Sequence, residues 1–313
     1  MMTGYFGSRD IIQEITVNES MRCFFVGYDL ADDSQNGQYR WKDFVNVLIS
    51  AVHEFAFGMH EGDSVQSNNL VVTLSDAAKS IYKIDNFNRV KDIYLSGGHL
   101  DDELEDKYLR RGEFGELLLH LILRDNFGTI PLLSKIYFKD SYGHTVHGFD
   151  SVHINPETKS LWLGESKLYM DPFKGVAALV KDLEEHIRLD YMADEFSIIS
   201  KKIKHFSFHE DVEYWTQWMA SATRLKDKLS DIYIPMLCTY SCDIFDLYDD
   251  EVEGFKAQLV AQAKEVADKF HDANKHPWKA KINIVLILLP VKCKKELVKR
   301  LHQKLGIMQS LGD

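Results

Sequence analysis

No stretch of this 313-residue chain is apolar for long enough to cross a bilayer. The longest such run, Ile282 to Val291, reads as a buried strand. The N-terminus, Met1-Met2-Thr3-Gly4-Tyr5-Phe6, lacks a basic segment followed by an apolar one, so no secretory signal is expected. Cysteine is scarce, and the four present, Cys23, Cys238, Cys242 and Cys293, show no paired metal spacing. That argues for reduced, mostly buried thiols in a cytoplasmic protein and against a zinc site. A Gly-x-Ser-x-Gly elbow, a P-loop and a dinucleotide fingerprint are all missing, so the usual signatures of hydrolases, ATPases and dehydrogenases do not apply. Internal repeats, low-complexity tracts and coiled coils are absent as well. What is present is 45% hydrophobic residues, enough to bury one large core or two modest ones.

Two segments carry the chemistry. Thr145 to Ile154 and Ser160 to Tyr169 are rich in aromatic and β-branched residues, and Asn155-Pro156-Glu157-Thr158-Lys159 between them is turn-like, which predicts a β-hairpin. With Pro156 to Lys159 as the loop, Asn155 faces Ser160, Asp150 faces Glu165 and Gly148 faces Lys167. Strand side chains alternate with period two, so Asp150, Glu165 and Lys167 share one face. The charges interrupt an apolar row begun by Leu161 and Leu163, whereas a solvated face would be polar from end to end. Two opposed carboxylates with Cβ atoms about 5 Å apart repel unless a cation lies between them. Hard oxygen donors point to Mg²⁺ or Mn²⁺, and a lysine beside them can steady an attacking water or the charge developing on a phosphate. The bland alternative is an exposed salt-bridge cluster of little energetic consequence. Asp171 as N-cap and Pro172 as first helical residue then start a helix of about four turns ending at Ile187.

Upstream, Tyr108 to Arg124 has the length and apolar density of a buried helix, ended by Asp125-Asn126-Phe127-Gly128. Glu113, Glu116, His120 and Arg124 fall within about 80° of arc on its wheel. Such a stripe is either a solvated edge with i,i+3 and i,i+4 pairs or a source of one further metal ligand, Glu113 or Glu116. Gly112 and Gly115 would let the helix approach the sheet closely.

A helix with Glu, a strand at Leu132 to Phe138, a strand with Asp, a strand with Glu-x-Lys and a helix together resemble the core of the PD-(D/E)xK nuclease superfamily. More narrowly, Arg110-Arg111-Gly112-Glu113-Phe114-Gly115-Glu116, Gly148-Phe149-Asp150 and Gly164-Glu165-Ser166-Lys167 resemble the HamA family, nuclease subunits of the bacterial Hachiman anti-phage system. The resemblance is clearest over residues 108 to 190. It implies an α/β fold with a restriction-endonuclease-like core, a mixed central sheet flanked by helices. It also implies a Mg²⁺- or Mn²⁺-dependent DNA nuclease restrained by a superfamily 2 helicase partner, HamB. Asp150, Glu165 and Lys167 are carried over as catalytic, with Asp150, Glu165 and Glu116 as metal ligands and Glu113 the other candidate for the helix position. Asp150 follows Phe149 rather than the proline of the superfamily's name. An RNA-directed nuclease, or a nuclease fold kept only for binding and assembly, are the competing readings.

A net charge of −11 does not favour DNA at long range. Carboxylates of a metal site account for part of it, and a partner can supply the DNA affinity. Lys174, Lys201, Lys202 and Lys204 are the candidate nucleic-acid contacts. The basic residues Lys292, Lys294, Lys295, Lys299, Arg300 and Lys304 read mainly as a solvated helix face.

Along the chain, residues 1–100 are expected to form an N-terminal α+β cap, structural or partner-docking, with a boundary at Gly97-Gly98 and the acidic Asp101 to Asp106. Within it, Arg22 to Tyr28 reads as a strand and Trp41 to Phe57 as a helix. Residues 101–313 are expected to form the nuclease domain, with a helical insertion at about 190–229 whose Phe206, Phe208, Tyr214, Trp215 and Trp218 suit a core better than base stacking. Ile232 to Tyr240 and Lys281 to Leu289 read as strands extending the sheet in parallel, alternating with helices at Glu251 to His271 and Val291 to Leu305. His147 and His153 lie on the strand face opposite Asp150 and are expected to be surface or packing residues, as is His144.

Overall fold

The structure, a computed structural model, describes residues 8–18, 20–30, 37–57, 69–84, 106–132, 148–203, 212–220 and 227–311. Its strands are β1 (Ile12–Asn18), β2 (Met21–Val26), β3 (Tyr28–Leu30), β4 (Gly37–Tyr39), β5 (Ile130–Pro131), β6 (Ser151–Asn155), β7 (Ser160–Tyr169), β8 (Ile232–Ser241) and β9 (Asn283–Val291). The helices are α1 (Ser8–Ile11), α2 (Trp41–Phe57), α3 (Leu70–Ile81), α4 (Asp106–Leu109), α5 (Glu113–Phe127), α6 (Pro172–His186), α7 (Leu189–Ile203), α8 (Val212–Ala220), α9 (Glu253–Ala273) and α10 (Lys294–Ser310).

Seven strands make one mixed sheet in the order β1-β2-β9-β8-β7-β6-β5, and β3 and β4 form a small separate ribbon. The centre, β2-β9-β8-β7, is parallel, while the pairings nearer the edges, β1 with β2, β6 with β7 and β5 with β6, are antiparallel. β8 and β9 are buried along nearly their whole length, as strands covered on both faces must be, which is why their sequences are continuous apolar runs. On one face of the sheet lie α6 and α9; on the other lie α5, α2, α3 and α10. Close approach of both layers depends on glycine. A Cβ at Gly164 would stand 2.7 Å from Leu119 Cδ2, and one at Gly175 would stand closer still to Cys238 Sγ.

Several elements depart from the sequence reading. The helix expected from Tyr108 is broken into α4 and α5, because the chain turns at Arg110 to Gly112 with Arg111 N–H donating to the Tyr108 carbonyl. α5 then runs three residues past Arg124 and stops at Gly128, whose φ of 62° is the left-handed conformation that ends helices. Only Gly115 approaches the sheet; a Cβ at Gly112 would meet nothing within 4 Å. β1 and the ribbon were not anticipated, since their alternation is short and weakly apolar. β1 and β2 join the same sheet as the hairpin strands. The expected strand Leu132 to Phe138 lies, beyond Leu132, outside the described residues, as do His144, His147, Phe206, Phe208 and the Gly97-Gly98 boundary. Among the described residues no helix is long and apolar enough to cross a membrane.

Candidate active site

The β6–β7 hairpin closes on a turn in which Asn155 Oδ1 accepts hydrogen bonds from the Glu157 and Thr158 amides, both at 3.0 Å. Lys159 completes it in the left-handed region with φ of 52°. That loop fixes Asn155 opposite Ser160 and Ser151 opposite Gly164. Asp150, one residue beyond the ladder, is thereby in register with Glu165. Its Oδ2 accepts from the Ser166 amide at 2.8 Å and from the Ser166 hydroxyl at 2.9 Å, which pins the carboxylate at the end of the strand pair.

Glu165 and Lys167 point away from Ser166, toward α6. That helix starts as the residues require: Asp171 caps it by accepting from the Phe173 amide at 2.8 Å and the Lys174 amide at 3.3 Å, with Pro172 next. Its buried stripe of Val176, Leu179, Val180 and Leu183 seats it on the sheet, and the flanking Asp182 and His186, one turn apart, then meet the strand. Asp182 forms an ion pair with Lys167. His186 Nδ1 lies 2.5 Å from Glu165 Oε1.

Glu165 is only 3% exposed. Burial pushes its carboxyl up to about 8, and the neighbouring charges of Asp150 and Asp182 push the same way against the bond from His186. Burial alone would lower Lys167, but the hydrogen bond and charge of Asp182, with Asp150 and Glu165 behind it, outweigh this and hold the ammonium above its ordinary value. His186 is likewise held up by Glu165 against its own desolvation.

Aromatic rings wall this cluster. His186 stacks on Tyr191 with ring centres 4.6 Å apart and planes 11° from parallel, and Phe149 stands edge-on to both. Tyr191 comes from α7, as does Glu195, a buried carboxylate whose Oε2 would lie 3.0 Å from a Cβ at Gly148. Burial, then the charges of Glu195, Glu165, Asp150 and Asp182, raise the Tyr191 phenol. The site thus gathers the carboxyl groups of Asp150, Glu165, Asp182 and Glu195 around the Lys167 ammonium and the His186 imidazole, and Asp150 and Glu165 are the pair that could hold a metal.

The other candidates are placed differently. α5 lies on the opposite face, where a Cβ at Gly115 would come within 3.1 Å of Ser166 Oγ. Glu113 at its start pairs with Arg111 at 2.8 Å, and Glu116 is half-buried in the same first turn. Asp150, through Ser166, is the member of the group that reaches toward that layer. The rest of the stripe is neither solvated nor turned to Asp150, Glu165 and Lys167. His120 is buried against His153, with 3.2 Å between His120 Nδ1 and His153 Nε2, and its Nε2 lies 3.4 Å from Glu54. Arg124 pairs with both Glu54 and Asp125. His153 is therefore a packing residue, bonded also to Thr129 at 2.9 Å. Lys174 is exposed near the start of α6; Lys201 and Lys202 end α7 with side chains outside the described residues, where Lys204 also lies.

Asp182, His186, Tyr191 and Glu195 were missed by the sequence reading. A signal existed for the first two, since they sit four apart beside the apolar stripe of an otherwise predictable helix. Nothing local marks Tyr191 or Glu195, which reach the site only through the packing of α7.

No curated protein matches the chain. The family model HamA does, over residues 6–305. With nearly all of its length matched, the chain belongs to the HamA family of the Hachiman antiviral defence system.

Proposed function

We propose that this chain is the DNA-cutting subunit of that system, a Mg²⁺- or Mn²⁺-dependent deoxyribonuclease controlled by a superfamily 2 helicase of the HamB kind. The observation that carries the reading is the hairpin register, which sets Asp150 beside Glu165 with Lys167 on the face of Glu165.

The donor set suits such an ion. Glu165 is a buried carboxylate facing another, a pairing that a divalent cation relieves. Asp150 keeps Oδ1 for this purpose, since Oδ2 is committed to Ser166. Among the described residues no three His, Cys, Asp or Glu side chains converge as a complete shell. Mg²⁺ does not need one, because it is held by one or two carboxylates and completes its octahedron with waters and substrate phosphates. When bound, the ion supplies Lewis acidity at the scissile phosphate and lowers the pKa of the attacking water. Lys167, held as an ammonium, serves as a hydrogen-bond donor and counter-charge to the phosphate rather than as a base. The acidic balance of the chain, 48 Asp and Glu against 37 Lys and Arg, leaves most of the DNA affinity to a partner.

The test is cleavage of matched DNA and RNA by the chain alone, by its complex with the helicase, and by the complex with ATP, in Mg²⁺, Mn²⁺ or EDTA. Cutting of DNA that needs Mg²⁺ or Mn²⁺, depends on the partner and is lost in Glu165→Ala and Lys167→Ala is expected. Cutting undiminished in EDTA or in folded Glu165→Ala overturns the site. RNA-only cutting favours the RNA reading, and no cutting by any form favours an assembly role.

A further inference from the structure

We infer that His186 is the positioning residue for Glu165: it holds one carboxylate oxygen and, wedged against Tyr191 and Phe149, sets the direction in which the other oxygen meets a divalent cation. The inference rests on the metal-site reading proposed above and names how this chain prepares its more buried ligand.

A carboxylate on a strand has rotatable side-chain bonds and two oxygens, so burial alone does not aim it. Glu165 Oε1 is fixed by His186 Nδ1 at 2.5 Å, leaving Oε2 as the oxygen free to turn toward a ligand. The imidazole itself is not free to swing. It lies parallel to Tyr191 from α7 and meets the edge of Phe149 from the start of the hairpin, while its backbone ends α6. Three elements therefore converge on one ring. Phe149 directly precedes Asp150, so the packing that holds the ring also constrains the chain leading to the other proposed ligand. Outer partners of this kind orient ligands, and their loss costs about 10–100-fold in metal affinity.

A ring that merely fills space would occupy the same position, and two substitutions separate the roles. His186→Phe keeps the stacking surface and removes the donor. His186→Asn removes the stacking and keeps a donor nitrogen near the position of Nδ1. The readout is Mn²⁺ binding to the full chain, measured by electron paramagnetic resonance at fixed pH without DNA, alongside Glu165→Gln. Binding weakened about 10–100-fold in His186→Phe, and within about threefold of the unsubstituted chain in His186→Asn, is expected. The reverse order, or full affinity in His186→Phe, overturns the inference. Should His186→Phe not fold, Tyr191→Leu loosens the ring without touching the donor; it is expected to weaken Mn²⁺ binding several-fold, and unchanged affinity overturns the clamp. Failure of the underlying reading looks different: Glu165→Gln then binds Mn²⁺ as well as the unsubstituted chain, or neither binds it. Loss of binding in Glu165→Gln with none in His186→Phe removes only the role of His186.

Discussion

Asp182 on α6 and Lys167 on β7 form an ion pair across two layers, so the ammonium of the Glu-x-Lys segment already has an anion of its own. Both side chains are mostly withdrawn from water, with 24% and 16% exposure, and breaking such a pair leaves one charge poorly solvated. Asp182→Asn is expected to destabilise the fold by about 1.5–3 kcal/mol, the range for a polar interaction with a charged group. Adding Lys167→Met should recover part of that loss. A double-mutant cycle from urea unfolding measures it, and losses that add within about 0.5 kcal/mol would show the two residues to be uncoupled.

Glu165 gives stability a definite pH dependence in metal-free buffer. In the unfolded chain its proton leaves near the ordinary value of 4.5, and in the folded chain at about 8. Between those values the folded chain holds the extra proton, so its contribution is full below 4.5 and is lost as pH rises through about 8. His186, raised above 6.5 by the same contact, acts in the same sense. Glu165→Gln lacks the Glu165 contribution. Calorimetry in EDTA should show its Tm gaining on that of the unsubstituted protein by at least about 3 °C between pH 5 and pH 8.5. A constant difference across that window refutes the assignment.

Glycine substitutions report on the layer contacts independently of chemistry. At Gly164 an added methyl meets Leu119 Cδ2 at 2.7 Å, Pro235 Cγ at 3.2 Å and Ser151 Cβ at 3.3 Å. Gly164→Ala should therefore cost about 1–3 kcal/mol. Gly112, the residue that precedes α5, has a φ of −90° that any residue adopts, and an added Cβ meets nothing within 4 Å. In Gly112→Ala the restricted unfolded chain and alanine's poorer fit at a helix N-cap oppose each other, so its stability should change by less than about 1 kcal/mol. Chemical denaturation of both variants decides the matter; similar midpoints would mean that α5 does not sit as described.

The interior network around Arg124 is structural. Its guanidinium pairs with Glu54 and Asp125, Asp125 accepts from Ser8, and Arg9 donates to the Asp125 carbonyl. Burial pushes the Glu54 carboxyl up, but His120 and Arg124 prevail and hold it below its ordinary value. Arg124→Met leaves Asp125, itself 5% exposed, without its cation and should cost about 3–5 kcal/mol. Its melting temperature should fall while Mn²⁺ binding by the folded fraction stays intact. Loss of binding without loss of stability would place Arg124 in the site.

Much of this architecture was legible because local rules governed it. An Asx turn and period-two alternation set the register from Asp150 to Lys167, and Asp171-Pro172 announced α6. The long apolar runs of β8 and β9 could only be buried strands. What escaped notice was set by tertiary packing. The wheel grouped Glu113 and Glu116 with His120 and Arg124, yet α2 covers part of that stripe and turns His120 and Arg124 into interior residues. β1 is held by its pairing with β2 rather than by its own composition. Tyr191 reaches His186, and Glu195 reaches Gly148, only once α7 folds back over the start of the hairpin.

The strand order also imposes a timetable. Met21 to Cys23 of β2 pair with Leu286 to Leu288 of β9, and β9 lies between β2 and β8. A ribosome extending the chain at about 5–20 residues per second needs on the order of 10–50 s to join those partners. Until then β2 and β8 each present a bare edge, and the sheet that seats α6 over Glu165 and Lys167 is incomplete. A fragment from interrupted translation therefore exposes edges that invite aggregation and proteolysis. β9, close to the end of the chain, is thus the strand that joins the N-terminal pair β1-β2 to β8-β7-β6-β5 and completes the sheet.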